Sequence, residues 1–217
     1  MSSPAKPSAT ARSAAAQRAR NPRKRTAKTR EDILDAALAT FGNRGYNNGS
    51  LVEIADQVGM THAGVLHHFG SKDQLLLAVL AHRDLASSRD LRDAKLPGGA
   101  ELFAHLRQTA RINAAQPGLV QAYAVLSGES VTDDHPAKEW FRRRYGDLRA
   151  SVGDALREEC GDGDLDPSTV DAAAAAVLAV MDGLQIQWLL APDEVDLAEA
   201  SAFAIDAIVA AVLDRKR

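Results

Sequence analysis

Several things are scarce in this sequence, and each scarcity narrows what the chain can be. There is one cysteine, Cys160, in 217 residues, so no intrachain disulfide framework holds the fold, and a reducing compartment is the expected setting. That thiol reads as structural rather than nucleophilic, because Glu158 and Glu159 beside it oppose thiolate formation. Aromatic residues are only 5% of the chain, which leaves the core to Ala, Leu and Val. Alternating runs of Val, Ile and Thr are missing, and with them the mark of half-buried strands. The most apolar stretch, 172–190, is interrupted by Asp182, Gln185 and Gln187, so it falls short of the roughly 20 apolar residues of a membrane span. The N-terminus is basic but lacks the apolar segment of a secretory signal. A cytoplasmic chain with no membrane partner is expected.

Acidic residues are absent from the first 30 positions, which hold nine Lys and Arg; the remainder carries 17 basic residues against 29 acidic ones. A basic arm on an acidic body suits a chain that meets a polyanion at one end, and it equally suits a solubilising tail. Residues 1–27 mix Ser, Ala, Pro and Arg without apolar periodicity and are expected to be disordered.

What is present is helical punctuation. Ile33, Ala36, Ala37 and Phe41 recur at helical spacing, and Gly42 with Gly45 reads as the end of that helix. Ser50 with Glu53, and Ser71 with Gln74, form capping boxes that open further helices. Leu75, Leu76, Val79 and Leu80 give the helix after Ser71 an apolar face. Pro97, Gly98 and Gly99 mark a loop and a seam between two halves. Beyond it, helices are expected near 100–115, 118–130, 136–160, 167–190 and 195–214, with Pro117, Pro136, Pro167 and Pro192 at or near their starts and breaks. The fold class is all-α.

The sharpest local pattern runs from Leu51 to Phe69. Two short helices can cross closely only over a small residue, and Ala55 supplies it. The turn between them needs a positive φ, which Gly59 tolerates. Val65 then packs the second helix back on the first, with Ile54, Val58 and Met60 completing the inner face. This is the spacing of a helix-turn-helix, although an ordinary helical hairpin would satisfy it too.

Two stretches within 28–80, TREDILDAALATFGNRGY and SLVEIADQVGMTHAGVLHHFGSKDQLL, resemble the tetracycline-repressor (TetR) family. The most specific part is HHFGSKDQLL, which closes one helix and opens the next as that family does. The resemblance implies an N-terminal three-helix DNA-binding domain over 28–74 and a C-terminal helical effector-binding and dimerisation domain over 75–217. It places Thr61 to His68 in the major groove of double-stranded DNA, with Thr61, His62, Ala63 and Gly64 toward base edges. His67, His68 and Lys72 then fall where phosphates are contacted, Lys72 as a point charge. Ser50, at a helix N-terminus, can offer its hydroxyl and backbone N–H groups to another phosphate. One position departs from the family: Leu66 stands where a Tyr usually touches the DNA backbone.

The family also implies a homodimer through the last two helices, which makes the operator palindromic. Two stripes suit that role. Val170, Ala174, Val177, Met181, Leu184 and Trp188 share one side of the 167–190 helix, with Leu178, Ile186 and Leu189 on another; the last helix offers Leu197, Ala204, Ile208 and Ala211. Phe103, Tyr123, Trp140, Met181, Gln185 and Trp188 are candidates for a ligand cavity, ordinary core packing being the alternative for each. No Arg or Lys stands at an obvious pocket position, so the small-molecule effector is expected to be neutral or hydrophobic.

Other chemistries fit poorly. His62, His67 and His68 are spaced by five, six and one residues, which scatters their rings around a helix instead of gathering them on a metal. Asp162, Asp164 and Asp166 start like a calcium loop, but Pro167 and Ala173 occupy the positions that need Gly and Glu. No Gly-rich phosphate loop or nucleophile elbow is present, so neither an enzyme nor a cofactor is expected. The expected function is sequence-specific transcriptional regulation, in the form of a repressor released by an effector. The alternative from another class is a DNA-organising protein with little sequence preference.

Overall fold

The computed structural model describes residues 22–87, 96–161 and 165–214, and these residues form nine helices and no strand. They are α1 (Pro22–Asn48), α2 (Leu51–Gln57), α3 (His62–Phe69), α4 (Lys72–Ser87), α5 (Gly99–Ala114), α6 (Pro117–Glu129), α7 (Lys138–Cys160), α8 (Pro167–Leu190) and α9 (Leu197–Leu213). The all-α expectation holds, and each helix expected after the loop lies within two residues of its place.

α1 differs from expectation at both ends. It reaches back to Pro22, so residues 22–27 are helical, not an irregular arm. Proline is tolerated in a first helical turn, and the Arg, Lys and Ala that follow are good helix formers. Residues 1–21 of the expected arm lie outside the described residues. At the other end Gly42 stays inside the helix. Its missing side chain lets α6 approach so closely that a Cβ there would lie 2.8 Å from Ala122 Cβ. The break falls at Gly45 alone, with φ 73° and ψ 173°, a conformation essentially restricted to glycine.

Side-chain caps explain the starts of α2, α3, α4 and α8. Ser50 Oγ accepts the Val52 N–H, Thr61 Oγ1 the Gly64 N–H, and Ser71 Oγ the Gln74 N–H. The Ser50–Glu53 pair departs from the expected box: Ser50 caps the Val52 N–H in place of that of Glu53, and the Glu53 carboxylate pairs with Arg44 at 3.1 Å. Asp166, from the acidic run, caps α8 by accepting the Thr169 N–H; Asp162 and Asp164 lie outside the described residues.

Two cores result. The first gathers Ile33, Phe41, Ile54, Ala55, Val65, Leu75, Leu76 and Leu80 together with Leu126 and Phe141. It therefore ties α1–α4 to α6 and α7 across the 97–99 loop. The second joins α5, α7, α8 and α9 around Leu102, Leu156, Val170, Val177 and Ile205. α8 is long and apolar enough to cross a membrane by length and composition, yet its Val170, Ala174 and Val177 are buried in this core.

Candidate nucleic-acid interface and interior cavity

The helix-turn-helix is built as its spacing requires. Ala55 is buried where α2 meets α3, Gly59 has φ 65°, and the Met60 N–H closes the turn on the Ala55 carbonyl at 2.9 Å. Val65 and Phe69, one turn apart, root α3 in the first core. The opposite face is left to solvent: Thr61, His62, Ala63 and His67 are exposed, while Gly64, Leu66 and His68 are half-buried. Ser50 is exposed at the start of α2.

Lys72 is held in place beside that face. Its Nζ lies 4.5 Å from the centre of the Tyr46 ring and donates to the Asn47 carbonyl at 3.2 Å. An ammonium has three donors, and one of them is used in this bond. Partial burial draws its pKa below the usual lysine value, against the pull of Asp73 and Glu129. Tyr46 continues the linkage inward: its hydroxyl donates to Asp73, and its backbone N–H donates to Glu129 Oε2 at 2.6 Å. Glu129 ends α6, so contacts run from Lys72 through Tyr46 to that helix.

A cavity of about 150 Å³ lies between α4, α5, α6, α7 and α8. Its wall combines apolar side chains such as Leu106, Leu148, Leu178 and Met181 with Arg83, Asp84, Tyr123, Arg144, Tyr145 and Asp182. Arg144 Nη1 pairs with Asp84 Oδ2 at 2.7 Å, and Arg144 Nε donates to the Tyr123 hydroxyl at 3.2 Å. The Tyr145 hydroxyl donates to Asp182 Oδ2 at 2.6 Å. Burial raises the Asp182 carboxyl above the ordinary range, although that hydrogen bond and the two arginines pull the other way.

The expected pocket residues divide. Tyr123, Met181 and Gln185 line the cavity. Phe103 instead packs in the second core, Trp140 lies in an adjoining groove with Arg143 and Arg144, and Trp188 stays half-buried outside the wall. The premise of an uncharged pocket is wrong, since two arginines stand in it.

The chain matches known proteins in both halves. The model for bacterial regulatory proteins of the tetR family matches residues 33–79, and that for the C-terminal domain of BetI-type transcriptional repressors matches residues 100–214, more than half of the chain. The protein belongs to the TetR family. It is 30% identical over 187 residues to the HTH-type transcriptional regulator TtgR of Pseudomonas putida, covering 78% of this chain and 84% of TtgR. It is 28% identical over 188 residues to BetI of Paraburkholderia phymatum, covering 82% and 90%. Among solved structures it shares the fold of SmeT, the repressor of the Stenotrophomonas maltophilia multidrug efflux pump SmeDEF, with TM-score 0.65, 22% identity, and 84% and 89% of the two chains covered. SmeT has also been solved in complex with triclosan.

As a TetR-family member the protein is a DNA-binding transcriptional regulator. The cavity charges of this TetR-family chain escaped sequence reasoning, but a signal existed. Arg83 follows Leu76, Val79 and Leu80 on the same helical stripe, and a charge on an apolar stripe marks a buried polar site.

Proposed function

We propose that this TetR-family protein is a cytoplasmic, homodimeric repressor that holds a palindromic operator through α3 and releases it when a small molecule occupies the cavity. The observation that carries the reading is the reach of α4. It begins at Lys72, beside the DNA-facing surface, and places Arg83 and Asp84 in the cavity wall eleven and twelve residues later. At 1.5 Å per residue that is about 17 Å of one rigid rod. A ligand that favours one position of α4 therefore also favours one position of Lys72 and of the first core packed on it. The shift can be no larger than the ligand's differential affinity for the two positions. The triclosan complex of SmeT supports a small-molecule effector, and the BetI-type repressor match supports repression as the output.

Dimerisation is supported by what α8 and α9 leave outward. Ile186 is 49% exposed, Leu190 81% and Phe203 77%, an apolar face on the two helices that the family joins. A dimer would set two copies of α3 about 34 Å apart, one turn of DNA.

Selection of bound sequences from a random DNA pool tests the reading. A palindrome preferred by about 10³-fold or more over random DNA is expected. Binding that follows salt concentration steeply but ignores sequence would replace it with the DNA-organising alternative.

A further inference from the structure

Arg83 is a buried cation whose nearest carboxylate is better bonded elsewhere. It is 6% exposed, and its guanidinium lies 4.2 Å from the centre of the Tyr123 ring. Asp84 is 3.4 Å from Arg83 but 2.7 Å from Arg144. The Nε of Arg83 has no hydrogen-bond partner, and a buried donor left in that state is costly. Burial, and then the neighbouring Arg144, draw the Arg83 pKa below the usual arginine value. Asp182, the other carboxyl at the wall, is taken by the Tyr145 hydroxyl and shifted by burial toward its uncharged form. His105 also lines the cavity. Among the described residues the wall thus carries two guanidinium groups, and its two carboxyl groups are engaged by Arg144 and by the Tyr145 hydroxyl.

A guanidinium is a planar fork of donors that matches a carboxylate. We propose that the cavity takes a small organic acid, its carboxylate pairing with Arg83 and Arg144 and its apolar body lying among Leu106, Leu148, Leu178 and Met181. A volume of about 150 Å³ is what a single benzene ring fills, so the body is one ring or a short chain. The groove beside Trp140 shares Asp84, Leu96, Arg144 and Leu148 with the cavity and extends it. The inference rests on the effector reading above and gives that ligand its chemical class. It also gives the ligand a grip on α4, since Arg83 belongs to that helix.

Two matched sets of probes test it on the full chain: benzoate, benzamide and benzylammonium, then 2-naphthoate, 2-naphthamide and 2-naphthylmethylammonium. Dissociation constants come from ligand-observed NMR, and thermal-unfolding shifts serve as a second readout. In at least one set the acid binds about tenfold tighter than its amide, and the ammonium binds weakest. Arg83→Met brings the acid-to-amide ratio close to one. Should that variant fail to fold by circular dichroism, Arg144→Gln is the substitute and lowers the same ratio. An amide or ammonium that binds as tightly as the acid, or an acid preference that survives in a folded Arg variant, overturns the acid assignment while the cavity reading stands. If no member of either set binds, both fall.

Discussion

At His135 the two ring nitrogens have different surroundings. Nδ1 accepts the Ala137 N–H at 3.2 Å, which leaves the proton of the neutral imidazole on Nε2. Nε2 is buried without a hydrogen-bond partner, 4.0 Å from Glu129 Oε2, and the ring meets the edge of Tyr46 at 5.3 Å. Charging this ring would bury a cation and remove the acceptor of the Ala137 N–H. Burial accordingly lowers its pKa, with Glu129 and Asp73 opposing more weakly. The unfolded chain then binds this proton at higher pH than the folded one, so the folded state loses stability as pH falls below about 6.5, until the lowered folded value is passed. Asp182, raised in the folded state, acts with the opposite sign and is common to any comparison with a His135 variant. In His135→Asn the amide oxygen can still accept the Ala137 N–H, but nothing titrates. Urea unfolding from about pH 7 to about pH 5 should show a shallower loss for the variant than for the parent; parallel curves would discard His135 as the source. None of this was legible in the sequence, where His135 is simply the residue before Pro136. Its meaning comes from Tyr46 and Glu129, which only folding brings to it.

Elements were far more legible than side-chain partnerships, because their signals are local. A serine or threonine three residues before a polar one, a proline at a start and a glycine at a turn act within a few residues of themselves. Gly59 therefore sets the turn before α3 in the sequence as it does in the structure. The errors came where a residue answers to another element: Gly42 serves the approach of α6, Glu53 serves Arg44, and Arg83, Arg144 and Asp182 meet from three helices. α3 itself shows how strictly its period divides roles, with Val65 and Phe69 inward and His62, Ala63 and His67 outward. Leu66 lies between these faces, half-buried, at the position where a Tyr usually touches the DNA backbone in the family. Leu66→Tyr should restore that hydrogen bond and tighten binding roughly two- to tenfold, the worth of one ordinary hydrogen bond. Because a phosphate contact carries no sequence information, fluorescence anisotropy should show the same gain on operator and on random duplex. A gain confined to the operator would mean that residue 66 reads bases.

For the whole molecule, the question is what covers the outer faces of α8 and α9. The inner face of α8 is spent on Val170, Ala174, Val177 and Met181, and that of α9 on Leu197, Ser201, Ile205 and Val212. Much of what remains outward is also apolar, with Ala172, Ala175, Ala179, Ile186 and Leu190 on α8 and Phe203, Ala207 and Ala210 on α9, beside the polar Asp171, Gln187, Glu199 and Asp206. The small residues allow close helix approach, Phe203 is an aromatic of the kind enriched at interfaces, and Ile186 and Leu190 add apolar area beside it. Arg107 pairs with Asp206 at 2.6 Å and braces α9 on α5, so the outward face is presented by a fixed scaffold. If a second copy seats here, each α3 reaches DNA with its twin already at the next groove, an effective concentration that the isolated subunit lacks. Leu190→Glu combined with Phe203→Glu places charges at the two most exposed large side chains on these helices, so helix content by circular dichroism should be preserved. Sedimentation should then show a dimer for the parent and a monomer for the double variant, and operator affinity should fall by about 10²- to 10⁴-fold, the scale of avidity lost when two sites are uncoupled. A double variant that still sediments as a dimer would move the interface elsewhere on the molecule. One that becomes a monomer but keeps full operator affinity would mean that a single α3 suffices, and the palindrome would lose its structural basis.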